Sequence, residues 1–385
     1  MSKMKKKVLF CATIDEHFTS FHIPYIKWFK EQGWEVHVAA AGYLDILYVD
    51  KKYHLSIERS PFKLKNMKAY KELKKIIKQN QYNIIHCHTP MGGALARLAA
   101  IKARRQGTKV IYTAHGFHFC KGAPLLNWLI YYPIEKALAY FTDCLLTINE
   151  EDFELAKTHF KSKRIEHIHG VGVNTDRFAP VLEFHKLVLR AKYHYENDTF
   201  LMFYAAEFNK NKNQKLLIEA LPFIKEHVPN IKLLLAGEGQ LLDYCKQLSK
   251  TLGVEELVDF LGQRDDIDFL LKMSDITVAS SIREGLPVNI MEAMACGLPI
   301  IAVDNRGHRE LISHNENGWL VEKNKVEIAK RIIQLAQNED IRKGFGSQSR
   351  KIILSKYSLN KVLEEKKVIY KNVMDKVEEV QWAVH

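Results

Sequence analysis

Residues 280–297 read SSIREGLPVNIMEAMACG. An apolar run at 276–279 precedes them and another at 299–303 follows, so the stretch reads as the helical crossover of a βαβ unit. Pro287 suits the first helical turn, where its missing N–H would have had no intrahelical partner, and Gly297 suits the left-handed residue that closes the far end. Gly285 and Leu286 then stand at the helix mouth. Backbone N–H groups and the positive end of the helix dipole converge there, which favours a phosphate. Glu284 lies just before the helix and Glu292 inside it, and both carboxylates suit sugar or ribose hydroxyls. The plainer alternative makes Glu284 a helix-start charge and Glu292 a solvated helix residue.

Outward from this unit, β-rich runs alternate with helical segments along the chain. In the first half, strands are expected at 8–13, 35–40, 83–88, 109–114, 144–148 and 165–169, with helices around 22–32, 66–79, 92–105, 125–139 and 150–160. The second half repeats the alternation, with strands at 200–205, 232–236, 258–261, 276–279, 300–303 and 318–321. That pattern is α/β and predicts doubly wound parallel sheets, in which ligands bind beyond the carboxyl ends of the strands. Gly170 to Pro180 ends the first series, and a second core begins near residue 199.

With 385 residues the chain accommodates two domains of ordinary size. Its six cysteines are scattered without a CxxC pair, as expected for buried thiols in a reducing compartment. The basic start, Lys3 to Lys7, leads directly into a strand and not into a signal sequence. The apolar stretch 125–148 is interrupted by Pro133, Glu135, Lys136 and Asp143 and does not read as a bilayer span. Residues 1–172 carry 27 Lys and Arg against 15 Asp and Glu, the rest carry 30 of each, and so the whole net charge of +12 belongs to the first half. That asymmetry suits an anionic partner. Zinc-finger, RNP-like and helix-turn-helix patterns are missing, so nucleic acid is not expected.

Two strand ends in the first half carry polar groups. One is HCHTP, with His86 and His88, followed by Gly92 and Gly93 at a helix start; the other is TAHGFHF, with His115 and His118. A metal set drawn from these histidines has no acidic or cysteine partner at a convincing spacing, so no metal is expected. His115 is instead placed to hydrogen-bond a sugar or steady a leaving phosphate. Asp15, Glu16 and His17, after the first strand, either face an acceptor or form an exposed polar turn. After the strand at 200–205 come Glu207, Lys210 and Lys212. Gly237-Glu238-Gly239 follows the next strand, as an approach to a nucleotide or an ordinary helix-start turn, and Arg264 follows the strand after that. Residues 307–310 form another loop on the same side, with Glu310 alternatively a first-turn cap.

Glu284 and Glu292, set in REGLPVNIMEAMACGLPII, resemble the E-x7-E signature of the retaining nucleotide-sugar glycosyltransferases of family 4. The run from HCHTPMGG through TAHGFHFCKGAP to TINEEDFELAK is similar to the subset of that family that builds bacterial capsules and exopolysaccharides, and the likeness covers nearly the full chain. It implies a GT-B fold, with two doubly wound, Rossmann-like domains facing across a cleft. Residues 1–172 would bind acceptor and 173–358 the nucleotide sugar, with a last helix, 359–377, returning to the first domain.

The resemblance further implies a metal-independent retaining hexosyltransferase without a cofactor. The donor would be a UDP-sugar, with UDP-GlcNAc the best choice, and the acceptor a polyprenyl-diphosphate-linked saccharide. The site would be cytoplasmic and peripheral on the anionic inner face of the cell membrane. Glu284 and His115 would be catalytic. Lys212, Glu238, Arg264, Gly285, Leu286, Pro287 and Glu292 would hold the donor, and His17, His88, Gly92, Gly93 and His118 would lie on the acceptor side. Where the family commonly has an arginine five positions before the lysine, this chain has Glu207, so that phosphate contact does not carry over; Lys210 or Arg283 would have to replace it. The first-strand loop also lacks the family's frequent Gly-Gly. Competing readings are a UDP-sugar epimerase of the same architecture and a non-catalytic nucleotide-sugar-binding protein.

Overall fold

A computed structural model describes residues 5–382, with side chains to residue 374, so Lys3 of the basic start lies outside the described residues. The chain forms two compact units, one of residues 1–171 with 362–385 and one of residues 172–361.

The first unit is built on seven parallel strands: β1 Lys7–Ile14, β2 Glu35–Ala41, β3 Lys51–His54, β4 Ile84–His88, β5 Lys109–Ala114, β6 Cys144–Thr147 and β7 Arg164–His167. Their order is β3-β2-β1-β4-β5-β6-β7. β1 and β4 are buried on both faces, as strands covered by helices must be. β3 is the strand the apolar pattern does not reveal. Its sequence, KKYH, is an edge with both lysines outside the core, and edges are protected by charge and not marked by apolar runs. The helix expected at 22–32 is Ile23–Glu31, and a further short helix, Glu16–Phe21, precedes it and meets it at buried His22. The one expected at 92–105 divides into Pro90–Ala99 and Ile101–Arg105.

Part of the long C-terminal helix, Leu359–Trp382, completes this unit. Tyr370 stacks on Trp28 at 5.6 Å, and its hydroxyl hydrogen-bonds His86 Nδ1 at 2.7 Å. Thr113 Oγ1 takes the other His86 nitrogen at 2.8 Å, so this histidine is fully paired inside the core.

In the second unit the strands are β8 Phe200–Ala205, β9 Ile231–Ala236, β10 Val258–Gly262, β11 Ile276–Ala279, β12 Ile300–Val303 and β13 Gly318–Val321, in the order β10-β9-β8-β11-β12-β13. Both sheets are therefore doubly wound, reversing direction between β1 and β4 in one and between β8 and β11 in the other. The crevice beyond such a reversal is where open α/β sheets bind ligands.

The crossover after β11 is the helix Val288–Ala295. Pro287 is its N-cap, with extended backbone at φ −77° and ψ 114°, and not a residue of the first turn. Gly297 closes the far end at φ +77°, and Arg350 donates to Ala295 O at 2.6 Å, placing a cation on the negative end of the dipole. All six cysteines are buried.

Candidate functional site

In the second unit, the loops after β8 and β11 are sewn to each other. Asn209 Oδ1 accepts the N–H groups of Asn211 and Lys212 at 3.0 and 2.9 Å. Asn211 in turn holds the other loop: its Nδ2 donates to Arg283 O at 2.9 Å, and its carbonyl accepts from Ile282 N–H at 2.8 Å. Ser280 Oγ donates to Lys212 O at 2.7 Å, and the buried Tyr204 hydroxyl meets Ser281 Oγ at 2.6 Å. Asn289 Nδ2 ties the start of the crossover helix to Ala205 O, at the tip of β8, at 2.9 Å.

This lattice fixes Lys212 Nζ 2.6 Å from Glu284 Oε1, with both side chains largely buried. Two residues 72 positions apart are thus joined as an ion pair at the point where the sheet reverses. Arg306 Nε holds the backbone carbonyl of Glu284 at 3.1 Å. Gly307 lies so close that a Cβ there would sit 2.7 Å from Glu284 Cβ.

Glu292 has other charged neighbours. It is half-buried, and burial raises its pKa to about 7 against the pull of Arg177, with Asp268 adding to the rise. At its intermediate exposure Glu292 is not a fully solvated helix residue.

A cavity of about 590 Å³ lies beside this loop, lined by Glu207, Gly237, Glu238, Gly239, Arg264 and Ile267 among others. Its glycines are dictated by backbone approach. Gly237 has φ +137° and a Cβ there would meet Ala206 O at 2.3 Å; Gly239 has φ +147° and would meet Phe208 O at 2.5 Å. Arg264 donates to Asp266 through Nε at 2.8 Å and through a terminal nitrogen at 2.5 Å, which holds the Asp266 carboxyl down at about 2. Its guanidinium is therefore committed within the chain. Glu207 and Lys210 are exposed, and Glu207 accepts from Asn209 Nδ2 at 3.0 Å; Arg283 is exposed as well.

In the first unit, the carboxyl ends of β1, β4 and β5 bring together His17, His22, His88 and His115, with one ring nitrogen from each within 4.8 Å of the others. His17 Nε2 lies 3.1 Å from His22 Nε2, and His88 Nδ1 lies 3.3 Å from His115 Nε2. Burial keeps all four neutral. It takes His17 down to about 4, with Lys366 assisting, and holds the other three well below the usual histidine range. His22 carries no signal in the sequence, because a histidine between two helices looks like any polar position. His118 is not with them: it is exposed and packs on Tyr131 with ring centroids 4.9 Å apart.

Asp15 does not form an exposed turn. It is fully buried, paired with Lys52 Nζ at 2.5 Å and accepting Leu44 N–H at 2.9 Å. Gly92 and Gly93 are also packing residues. A Cβ on Gly92 would meet Ala12 C at 2.7 Å, and one on Gly93 would meet the Tyr112 ring at 2.4 Å. Thr89 just before them has φ +61°, a strained value for a β-branched residue, secured by its hydroxyl contact with Thr13 Oγ1 at 2.7 Å. A largely apolar cavity of about 470 Å³ opens beside these residues, lined by Thr13, His17, Phe21, Tyr112, His118, Tyr131 and Ile134 among others.

Two doubly wound parallel sheets, each with a polar cluster at its point of reversal, define the GT-B class of two-domain folds. Solved structures agree on the fold. Anabaena HepE in complex with UDP and glucose superposes with a TM-score of 0.78 at 19% identity, covering 96% of this chain and all of that one. Sucrose-phosphate synthase from Thermosynechococcus elongatus gives 0.80 at 17% identity, covering 97% and all of that chain.

Residues 7–149 match the family described as glycosyl transferase 4-like, and residues 186–352 match glycosyl transferases group 1. A Bacillus subtilis protein described as putative glycosyltransferase EpsD is 51% identical over 374 residues, covering 97% of this chain and 98% of that protein. The Escherichia coli UDP-Gal:alpha-D-GlcNAc-diphosphoundecaprenol alpha-1,3-galactosyltransferase is 28% identical over 316 residues, 80% of each chain. The chain belongs to the family 4 glycosyltransferases of GT-B fold and is closely related to EpsD-like members. Among the described residues no helix is long and apolar enough to cross a membrane.

Proposed function

We propose that the protein is a retaining, metal-independent hexosyltransferase that moves a sugar from a UDP-sugar to a polyprenyl-diphosphate-linked saccharide in exopolysaccharide or capsule synthesis. The observation that carries this reading is the Lys212–Glu284 pair, held at 2.6 Å where the second sheet reverses and beside the mouth of the Val288–Ala295 helix. A diphosphate arriving at Gly285, Leu286 and Pro287 draws the Lys212 ammonium toward itself and frees the Glu284 carboxylate to accept sugar hydroxyls. As the sugar–phosphate bond breaks, charge grows on the diphosphate, where Lys212 and the helix dipole oppose it. Glu292, protonated in part near neutral pH, can donate as well as accept a hydrogen bond to the ribose. The cavity bounded by Gly237, Glu238 and Arg264 takes the base. The glycines and the main chain form its walls, because the Arg264 side chain is already engaged.

The acceptor belongs to the first unit. His115 would serve there as a neutral donor, with His17 and His88 alongside, and His118 would stand at the cavity wall. GlcNAc is the proposed sugar. The E. coli relative, whose name specifies a UDP-sugar and a diphosphoundecaprenol-linked acceptor, supports these substrate classes. The net positive charge of residues 1–172 supports peripheral attachment to the anionic inner face of the cell membrane. The test is a screen of UDP-, GDP- and ADP-sugars with and without a lipid-linked saccharide, followed by anomeric analysis of the product. UDP-sugar turnover that needs the acceptor and retains configuration is expected. Consumption of UDP-sugar without acceptor would instead mark an epimerase, and UDP binding without any turnover a non-catalytic binder.

A further inference from the structure

Four histidines of the first unit bring one ring nitrogen each within 4.8 Å of the others. In a tetrahedral zinc site with Zn–N bonds of about 2.0–2.1 Å, neighbouring ligand nitrogens stand about 3.3–3.4 Å apart. Two of the pairs here already have that spacing, at 3.1 Å for His17 and His22 and 3.3 Å for His88 and His115, and all four nitrogens fall within 4.8 Å. Ring rotations of roughly 1–2 Å at the nitrogens bring the widest pairs to the spacing of a bound ion. Neutral imidazole is the form that binds metal, and burial keeps these rings neutral.

We infer that His17, His22, His88 and His115 form a binding site for a divalent ion of borderline softness, zinc above all. Imidazole ligands without carboxylates exclude magnesium and calcium, which take oxygen. His17 and His22 come from the two short helices after β1, His88 is the last residue of β4 and His115 follows β5, so the ion would pin three strand ends together at the reversal of the first sheet. Lys366 is the nearby charge that opposes an ion. It is buried over the Tyr25 ring at 3.9 Å, and its charge acts on His17, His22 and His115. If the transfer reading above is right, occupancy takes His115 out of that reaction and the metal-bound form is the silent one. Ion binding itself does not depend on that reaction.

The test uses metal-stripped full-length protein titrated with Co2+, whose visible absorption reports tetrahedral nitrogen ligation. One ion per chain is expected, displaced by Zn2+ as the order of affinities requires. His22→Gln and His88→Gln should each weaken binding by well over about 100-fold, beyond the ~10–100-fold that loss of a supporting contact around a metal causes, while His185→Gln on the second unit leaves it unchanged. Lys366→Met should tighten it. Wild-type protein that develops no tetrahedral cobalt spectrum overturns the inference without recourse to any variant. So does a spectrum that persists in both His22→Gln and His88→Gln.

Discussion

Replacing Lys212 by Met separates what the ion pair does for the fold from what it does for chemistry. At 2.6 Å and an effective dielectric near 20, the attraction between the two charges is about 6 kcal/mol, most of which desolvation cancels. Glu284 keeps only 13% of its side-chain surface exposed, so the variant leaves a poorly hydrated carboxylate without its cation. A loss of about 1–3 kcal/mol in the stability of the second unit is expected, between the values for exposed and fully buried pairs. Lys212→Met/Glu284→Gln removes both charges and should recover about 1–2 kcal/mol of that loss. Turnover should behave differently. Lys212→Met should lower kcat/KM for a UDP-sugar by ~10²–10³-fold, about 3–4 kcal/mol, and the double variant should not regain it. Urea unfolding and steady-state transfer on the same three proteins decide the matter. A double variant that recovers stability and activity together would make the pair purely structural and refute the reasoning.

Glu292→Gln should be more stable than wild type at high pH. The carboxyl titrates near 4.5 unfolded and about 7 folded, so both states are protonated below about 4.5 and the folded state alone resists ionisation above it. The variant's advantage should appear between those values and reach about 1–3 kcal/mol above pH 7, read from unfolding midpoints; a constant difference at all pH would contradict the assignment. Gly92→Ala should destabilise the first unit by about 1–3 kcal/mol, because its methyl would meet Ala12 C at 2.7 Å, and the unfolding midpoint checks it. The helix Lys65–Asn80 exposes Lys65, Lys68, Lys71, Lys74, Lys75 and Lys78, so vesicle binding should require anionic lipid, weaken with salt, and fall on reversing these charges. Equal binding to neutral vesicles would reject that attachment.

The sheets were legible in the sequence wherever strands are buried on both faces. Ile276–Ala279 and Ile300–Val303 are uninterrupted apolar runs bounded by polar turns, so pattern and structure coincide. Lys51–His54 was not, because it is held by β2 and carries no apolar stripe. Within the site, the glutamates and the helix mouth share one local unit and could be read from it. The contact of Lys212 with Glu284 could not, since it exists only because β8 and β11 are neighbours while 72 residues separate the partners. Glycine is ambiguous for a related reason: Gly92 and Gly93 suggest room for a ligand, yet the space belongs to Ala12 and Tyr112. His22 and the burial of Asp15 depend on how two short helices pack after β1, which no local spacing encodes.

A crystal structure of the protein with UDP addresses the proposed donor site most directly. The account predicts a phosphate within hydrogen-bonding distance of Lys212 Nζ and of the backbone N–H groups at the start of the Val288–Ala295 helix, with the uracil beside Gly237 and Arg264. UDP bound elsewhere, with Lys212 still locked to Glu284, would contradict it.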